Sequence, residues 1–310
     1  MVSVLPSRPA TGGTRTAAPG RPTSGLARRR QRLGWLYSAP MAAVVVLLFL
    51  LPLGLMVWMS FNHWPLLGAS APNGVENYRA LSDPLFVRAL RFTVKYTVVT
   101  TVVLSLVAFG MALLVQEARP GVGFFRTIYF LPAAVGLGSA SLLFYGLYNT
   151  GDSPLNTLLD SIGVGPVDWL GTNDSALLST VGMITWRFAG FYMLILLTGL
   201  QGISPTLYEA ARTDGATRWQ TMRHVTLPLL RPTLALMLVL SVTGSLLAFE
   251  QFFILTGGRH DTTTLAVDIY REAFLSQDLG RAAAVSVALL LVLILINGAQ
   301  LRLLRRKDAS

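Results

Sequence analysis

Six stretches of this chain, at about 36–61, 96–116, 127–148, 175–200, 232–256 and 282–301, are each apolar for close to 20 residues or more. A helix needs roughly 20 such residues to cross about 30 Å of hydrocarbon. In hydrocarbon the backbone must bond to itself, so an apolar run of that length has essentially one stable fold. The charge content agrees: 13% of the 310 residues are charged and 53% are hydrophobic, where soluble domains carry roughly 25% charge. The reading is an all-α integral membrane protein with six transmembrane helices. The first run is longer than the roughly 7–15-residue core of a cleavable signal, so it is read as a retained span.

Six crossings put both termini on one side, and the basic residues choose the side. Of the 25 Lys and Arg, 17 fall in 1–35, 117–126, 201–231 and the C-terminal end, and 7 fall in 62–95, 149–174 and 257–281. The positive-inside rule makes both termini cytoplasmic. It also accounts for the net charge of +10 without nucleic acid, because the basic residues flank spans and form no patch interleaved with aromatics. Residues 1–35 are rich in Pro, Gly, Ser, Thr and Arg with no apolar period, and read as a disordered basic cytoplasmic tail. The domains expected are that tail, a membrane domain over 36–306, and a short tail at 307–310. The segment 79–95 is amphipathic and is expected to lie in the outer interface before the chain enters the membrane.

The cytoplasmic loop 201–231 contains "EAARTDGATRWQTMRHVTLPLLRP" from Glu209, too charged and too rich in helix signals for a plain connection. Ser204 and Pro205 can open a first helix, and Gly215 can take the left-handed conformation that ends it. Thr217 with Gln220 three residues on is a capping box for a second helix, which Pro228 and Pro232 are expected to stop. Leu207, Ala210 and Ala211 form a small apolar patch beside Glu209; Trp219, Met222 and Val225 form a stripe at helical spacing. Such an element either docks on a partner or packs on its own spans.

Here the residues carry a resemblance. Glu209-Ala210-Ala211, three residues, Gly215, nine residues, then Val225-Thr226-Leu227-Pro228 resembles the EAA loop of bacterial ABC-importer permeases, with Val225 where Ile is usual. "LTGLQGISPTLYEAARTDGATRW", "FFILTGG" and "IYREAFLSQDLGRAAAVSVAL" are similar to the carbohydrate-uptake branch, in its first, maltose-permease-like subunit. The similarity covers about 36–306; Arg259 and His260 stand where Gly-Pro is common. The resemblance implies a type I ABC importer permease fold in the inner membrane. It implies that Glu209, Ala210, Ala211, Asp214, Gly215, Leu227 and Pro228 couple the spans to a separate ATPase. The partners implied are a second homologous permease, an ATP-binding subunit dimer and an extracytoplasmic solute-binding protein. ATP and Mg belong to the ATPase chains, and no cofactor is expected here. The chain itself lacks G-x-x-x-x-G-K-[ST], the phosphate loop such an ATPase needs.

Enzyme chemistry finds no support. There is no Cys, and His63, His224 and His260 are scattered without an H-E-x-x-H. Two charges lie inside apolar runs, Arg187 and Glu250. Intramembrane charges either line a pathway or pair with each other. Their neighbours Trp186, Tyr192, Phe249, Gln251 and Phe252 suit a sugar, so Arg187, Tyr192, Phe249, Glu250 and Gln251 form the candidate substrate path. "GLGSAS" at 136–141 and Gly244-Ser245 read as small-residue packing faces. The rival class is an ion-gradient-driven secondary transporter, which predicts several intramembrane carboxylates and an inverted repeat; this sequence has one such carboxylate.

Overall fold

The structure is a computed structural model and describes residues 24–117, 120–149 and 153–305. The expectations for residues 1–23 and 307–310 lie outside it. The chain forms two units, Met1–Gly54 and Leu55–Ser310. The first is helical from Ser24, so the tail expected to run to residue 35 is replaced by helix over its last twelve positions. The apolar helix α1, Gly34–Met59, begins in this unit.

In the second unit a two-residue antiparallel pair, β1 (Asn62–His63) with β2 (Ala71–Pro72), precedes the helices. These are α2 (Pro84–Val115), α3 (Val122–Ala134), α4 (Leu137–Tyr148), α5 (Pro154–Ser161), α6 (Asn173–Gln201), α7 (Pro205–Thr213), α8 (Arg218–Leu246), α9 (Glu250–Leu255), α10 (Leu265–Tyr270) and α11 (Leu279–Arg305). Among the described residues five helices are long and apolar enough to cross a membrane. Helices α3 and α4, which meet at 92°, make a sixth where the bent pair counts as one span. The core is α2, α6 and α8, packed through Ala108, Ala112, Ala189, Leu196 and Met237. Lipid tails are as apolar as these side chains, so close van der Waals fit rather than hydrophobic transfer holds them.

Helix α2 corrects one expectation. It has 32 residues, about 48 Å at 1.5 Å per residue, some 18 Å more than the hydrocarbon. That excess is about twelve residues, the length of Pro84–Lys95. Residues 84–95 of the segment expected to lie flat are instead one end of a continuous helix, capped by Asp83, whose carboxylate accepts from Leu85 N at 2.9 Å. Lys95 marks its polar level, bonding Asn173 Oδ1 at 3.1 Å and Asp174 across at α6.

The 92° elbow has identifiable causes. Pro132 removes a backbone donor in a 3₁₀ turn over Leu131–Ala134, and Val135 is extended. The Val135 carbonyl at the elbow would be an orphan in hydrocarbon; Arg187 Nε donates to it at 2.8 Å. Just before the elbow the α3 backbone crosses α6 at Gly190. A Cβ there would lie 1.8 Å from Tyr129 O, so only hydrogen fits.

A second break follows α8. Leu247 to Phe249 leave helical geometry, and the Ala248 carbonyl accepts from Thr264 Oγ1 at 2.6 Å. Thr264 also caps α10, and Leu265 N donates to Thr93 Oγ1 on α2 at 2.9 Å. The run expected to span 232–256 therefore ends as a membrane helix at Leu246, and Glu250 opens the separate helix α9 rather than lying within a span.

Candidate functional site

Both breaks face one cavity of about 250 Å³. Helix α2 supplies Tyr96, Thr100 and Leu104; α6 supplies Ile184, Phe188 and Tyr192; α8 supplies Ser241, Gly244 and Ser245; Phe249, Glu250 and Gln251 close it at the second break. Four of the five expected path residues, Tyr192, Phe249, Glu250 and Gln251, thus meet in one place. Gln251 is buried, its Nε2 donates to Tyr96 Oη at 3.3 Å, and its Oε1 is buried with no hydrogen-bond partner among the described residues. Glu250 Oε2 lies against Gly138, 3.4 Å from where a Cβ would be, so that glycine of the "GLGSAS" face makes room for the carboxylate.

Arg187 is the exception. It does not line the cavity. Besides holding the Val135 carbonyl, its guanidinium lies 4.2 Å from the centre of the Phe188 ring. It feels the charge of Glu250 yet forms no ion pair with it among the described residues. What Arg187 does among the described residues is buttress the elbow. Phe252 is likewise core: its ring meets Phe92 and Tyr96 edge-on at 5.0 and 4.8 Å. Trp186 packs on Phe144 at 5.2 Å, outside the cavity lining. The sequence reading missed Tyr96, Thr100, Ser241 and Ser245, although a polar group every fourth residue on an apolar helix is a signal for one polar face.

The other expected site is a hairpin. Helix α7 carries Glu209 and Ala210 exposed and Ala211 half-buried. Gly215 has φ +76°, Gly215 N donates to Arg212 O, and Ala216 N to Ala211 O at 2.9 Å; this left-handed turn closes α7 next to Asp214. The Thr217–Gln220 capping box is present in full. Ser204 departs from expectation: its hydroxyl meets Thr206 Oγ1 at 2.8 Å and caps no backbone group. Pro228 and Pro232 do not stop the second helix. It passes through one π-turn at Met222–Thr226 and continues, with Leu227 and Pro228 half-buried, to Leu246. A proline early after a turn loses little, and Pro232 lies inside the helix. The hairpin and the Ser241–Ser245 wall are thus one rod, and Tyr208 Oη ties α7 to it at Thr226 Oγ1, 3.3 Å away. Glu209 has no ion pair among the described residues, and Leu207 and Trp219 are 44% and 69% exposed.

Arg281 pairs with both Asp83 and Glu272 at 3.6 Å. Asp268 is buried, and its carboxyl is pushed up to about 6, first by burial and then by Glu272, with Asp83 adding to the rise and Arg271 and Arg281 opposing it. A carboxyl whose folded value exceeds its unfolded value stabilises below the unfolded value and loses that stability as pH rises through about 6. Asp268→Asn is therefore expected to narrow the drop in melting temperature between pH 5 and pH 7.5 by on the order of 2–4 °C, the size of a ~1 kcal/mol change. An unchanged drop in detergent-solubilised protein refutes the assignment.

A mostly helical membrane domain with a polar cavity beside two helix breaks, and a charged helical hairpin continuous with one wall, suits a transport permease. The chain belongs to the family described as the inner membrane component of binding-protein-dependent transport systems, which it matches over residues 86–308. It is 33% identical over 268 residues to the trehalose/maltose transport system permease protein MalF of Thermococcus litoralis, covering 86% of this chain and 91% of that one. It is 29% identical to the arabinooligosaccharides transport system permease protein AraP of Bacillus subtilis, over 87% of each chain. Among solved structures, its fold matches a chain of a bacterial ABC transporter that imports the acidic polysaccharide alginate. The TM-score is 0.78 at 24% identity, over 91% of this chain and 99% of that one. These relatives are multi-pass membrane permeases and not enzymes.

Proposed function

We propose that this chain is one of two homologous permease subunits of an ATP-driven importer for a carbohydrate or sugar-derived solute. The observation that carries this reading is the single helix α8, which joins the hairpin to the cavity wall within a family of transport permeases. The named substrates of the relatives, trehalose and maltose in one and arabinooligosaccharides in another, support the solute class. Hydroxyls of Ser241, Ser245, Thr100 and Tyr192 and the ring of Phe249 offer the hydrogen bonds and stacking a sugar needs, and a second permease supplies the opposite wall. The related alginate transporter has been seen with a pentasaccharide-bound periplasmic protein, which supports an extracytoplasmic binding protein as partner here.

Both termini and the hairpin are cytoplasmic on this reading, by the basic-residue count. Exposed Leu207, Ala210 and Trp219 beside unpaired Glu209 form a surface that suits a protein groove. We place Glu209, Ala210, Ala211, Asp214 and Gly215 in contact with, or shaping contact with, a separate ATPase dimer that binds ATP and Mg, with Leu227 and Pro228 starting the transmitting rod. ATP closure of the dimer displaces α7, and because α7 is tied to α8, the Ser241–Ser245 wall moves with it.

The test is uptake of labelled oligosaccharide into vesicles bearing the whole importer. Uptake requires ATP, is blocked by vanadate, and falls several-fold in Gly215→Val, since a β-branched residue at positive φ costs about 1–2 kcal/mol and loosens the hairpin. Uptake that ignores vanadate and collapses with an ionophore would establish the gradient-driven class instead.

A further inference from the structure

The cavity wall carries a charge of its own. Among its lining residues Glu250 carries the single formal charge. Arg187 keeps its positive charge behind the lining, where it donates to the Val135 carbonyl and lies over the Phe188 ring, so Glu250 is the charge that a solute in the cavity meets directly. Next to Glu250, Gln251 is 2% exposed. Its amide nitrogen is used by Tyr96 while its oxygen has no partner among the described residues. A buried acceptor without a donor is costly, and a solute hydroxyl or ammonium would satisfy it. The wall at the second break thus holds an anionic acceptor, Glu250, next to a buried amide acceptor without a partner among the described residues.

We propose that Glu250 makes the cavity a charge filter, which passes neutral or cationic sugars and rejects anionic ones. The proposal rests on reading the cavity as the solute path. A carboxylate in a cleft with low-dielectric walls raises the local concentration of cations and lowers that of anions. Ligands rich in O–H or N–H donors satisfy Glu250 and Gln251 together, whereas a uronic acid or sulfonated sugar brings acceptors and like charge. The matching fold in a carrier of acidic alginate leaves such discrimination to individual side chains, and here that side chain is Glu250.

The chain has no cysteine, so Ser245→Cys places a single thiol of this chain in the cavity. In the assembled importer, its reaction rates with cationic aminoethyl and anionic sulfonatoethyl methanethiosulfonate are compared, each divided by the rate with free 2-mercaptoethanol. The expected normalised ratio favours the cation on the order of tenfold, and adding Glu250→Gln brings it close to one. Ser241→Cys is the second reporter where Ser245→Cys fails to assemble. A ratio near one with Glu250 intact, while both reagents react, overturns the filter and leaves the path reading standing; this arm decides without the glutamine variant. If neither reagent reaches either thiol, the path reading falls and the filter with it.

Discussion

Glu209→Lys lowers ATP-driven uptake by at least about thirtyfold, while the chain still inserts and purifies in normal amount. Folding and docking are the two halves of this effect. Within the chain, Glu209 is exposed on α7 and has no ion pair among the described residues; substitutions at such surface positions usually stay within about 0.5 kcal/mol. The hairpin is held by other groups: the Gly215 turn, the Thr217–Gln220 capping box and the Tyr208–Thr226 tie. Against a partner groove the account reverses, because a charge left buried beside the wrong sign costs about 2–5 kcal/mol, or roughly thirtyfold to several thousandfold in binding. Co-purification of the ATPase on a tag carried by this chain, measured with uptake, separates the halves. Normal levels of both in the lysine variant would refute the coupling surface.

Gly190→Val is expected to prevent folding. The added Cβ meets backbone, not a flexible tip: Tyr129 O at 1.8 Å, Tyr129 C at 2.3 Å and Phe130 N at 2.8 Å. Separating α3 from α6 would also pull the elbow away from Arg187, returning an unbonded carbonyl to the membrane interior. The cost reaches or passes ~3 kcal/mol, the upper end for overpacked cores. Gly110 is the control. It sits in α2 with nothing within 4 Å of its would-be Cβ, so Gly110→Ala removes a helix-interior glycine at no steric cost and is neutral or stabilising by about 0.5–1 kcal/mol. Size-exclusion profiles of detergent extracts after heating measure both. A Gly190→Val protein with a normal monodisperse profile would mean the crossing is not as tight as described.

How far these features could be read beforehand follows the distance over which each is decided. The hairpin was legible almost residue by residue, because its signals act over three to five positions: Thr217 with Gln220, Gly215 at the end of α7. Its departures were local as well, and Ser204, which caps no backbone group, is the first. Pro228 and Pro232 were read as stops, but a π-turn at Met222–Thr226 absorbs the first and α8 accommodates the second. The polar members of the cavity were half legible, through Glu250, Gln251 and Tyr192, since an ionisable or amide group in an apolar run has few tolerable places. Tyr96, Thr100, Ser241 and Ser245 escaped because hydroxyl groups are ordinary in membrane helices and only their convergence distinguishes them.

The sequence by itself determined that the chain crosses a membrane, roughly where it does so, and that a capped, charged hairpin interrupts the crossings. Apolar length and short-range capping settle those matters, and neither needs a neighbour. Only the tertiary structure decided where the helices break and what lies in the opening. A helix can break in hydrocarbon only if its freed carbonyl finds a donor. Those donors are Arg187, 52 residues from Val135, and Thr264, 16 residues from Ala248. No pattern along the chain pairs residues so far apart; the packing of the helices does.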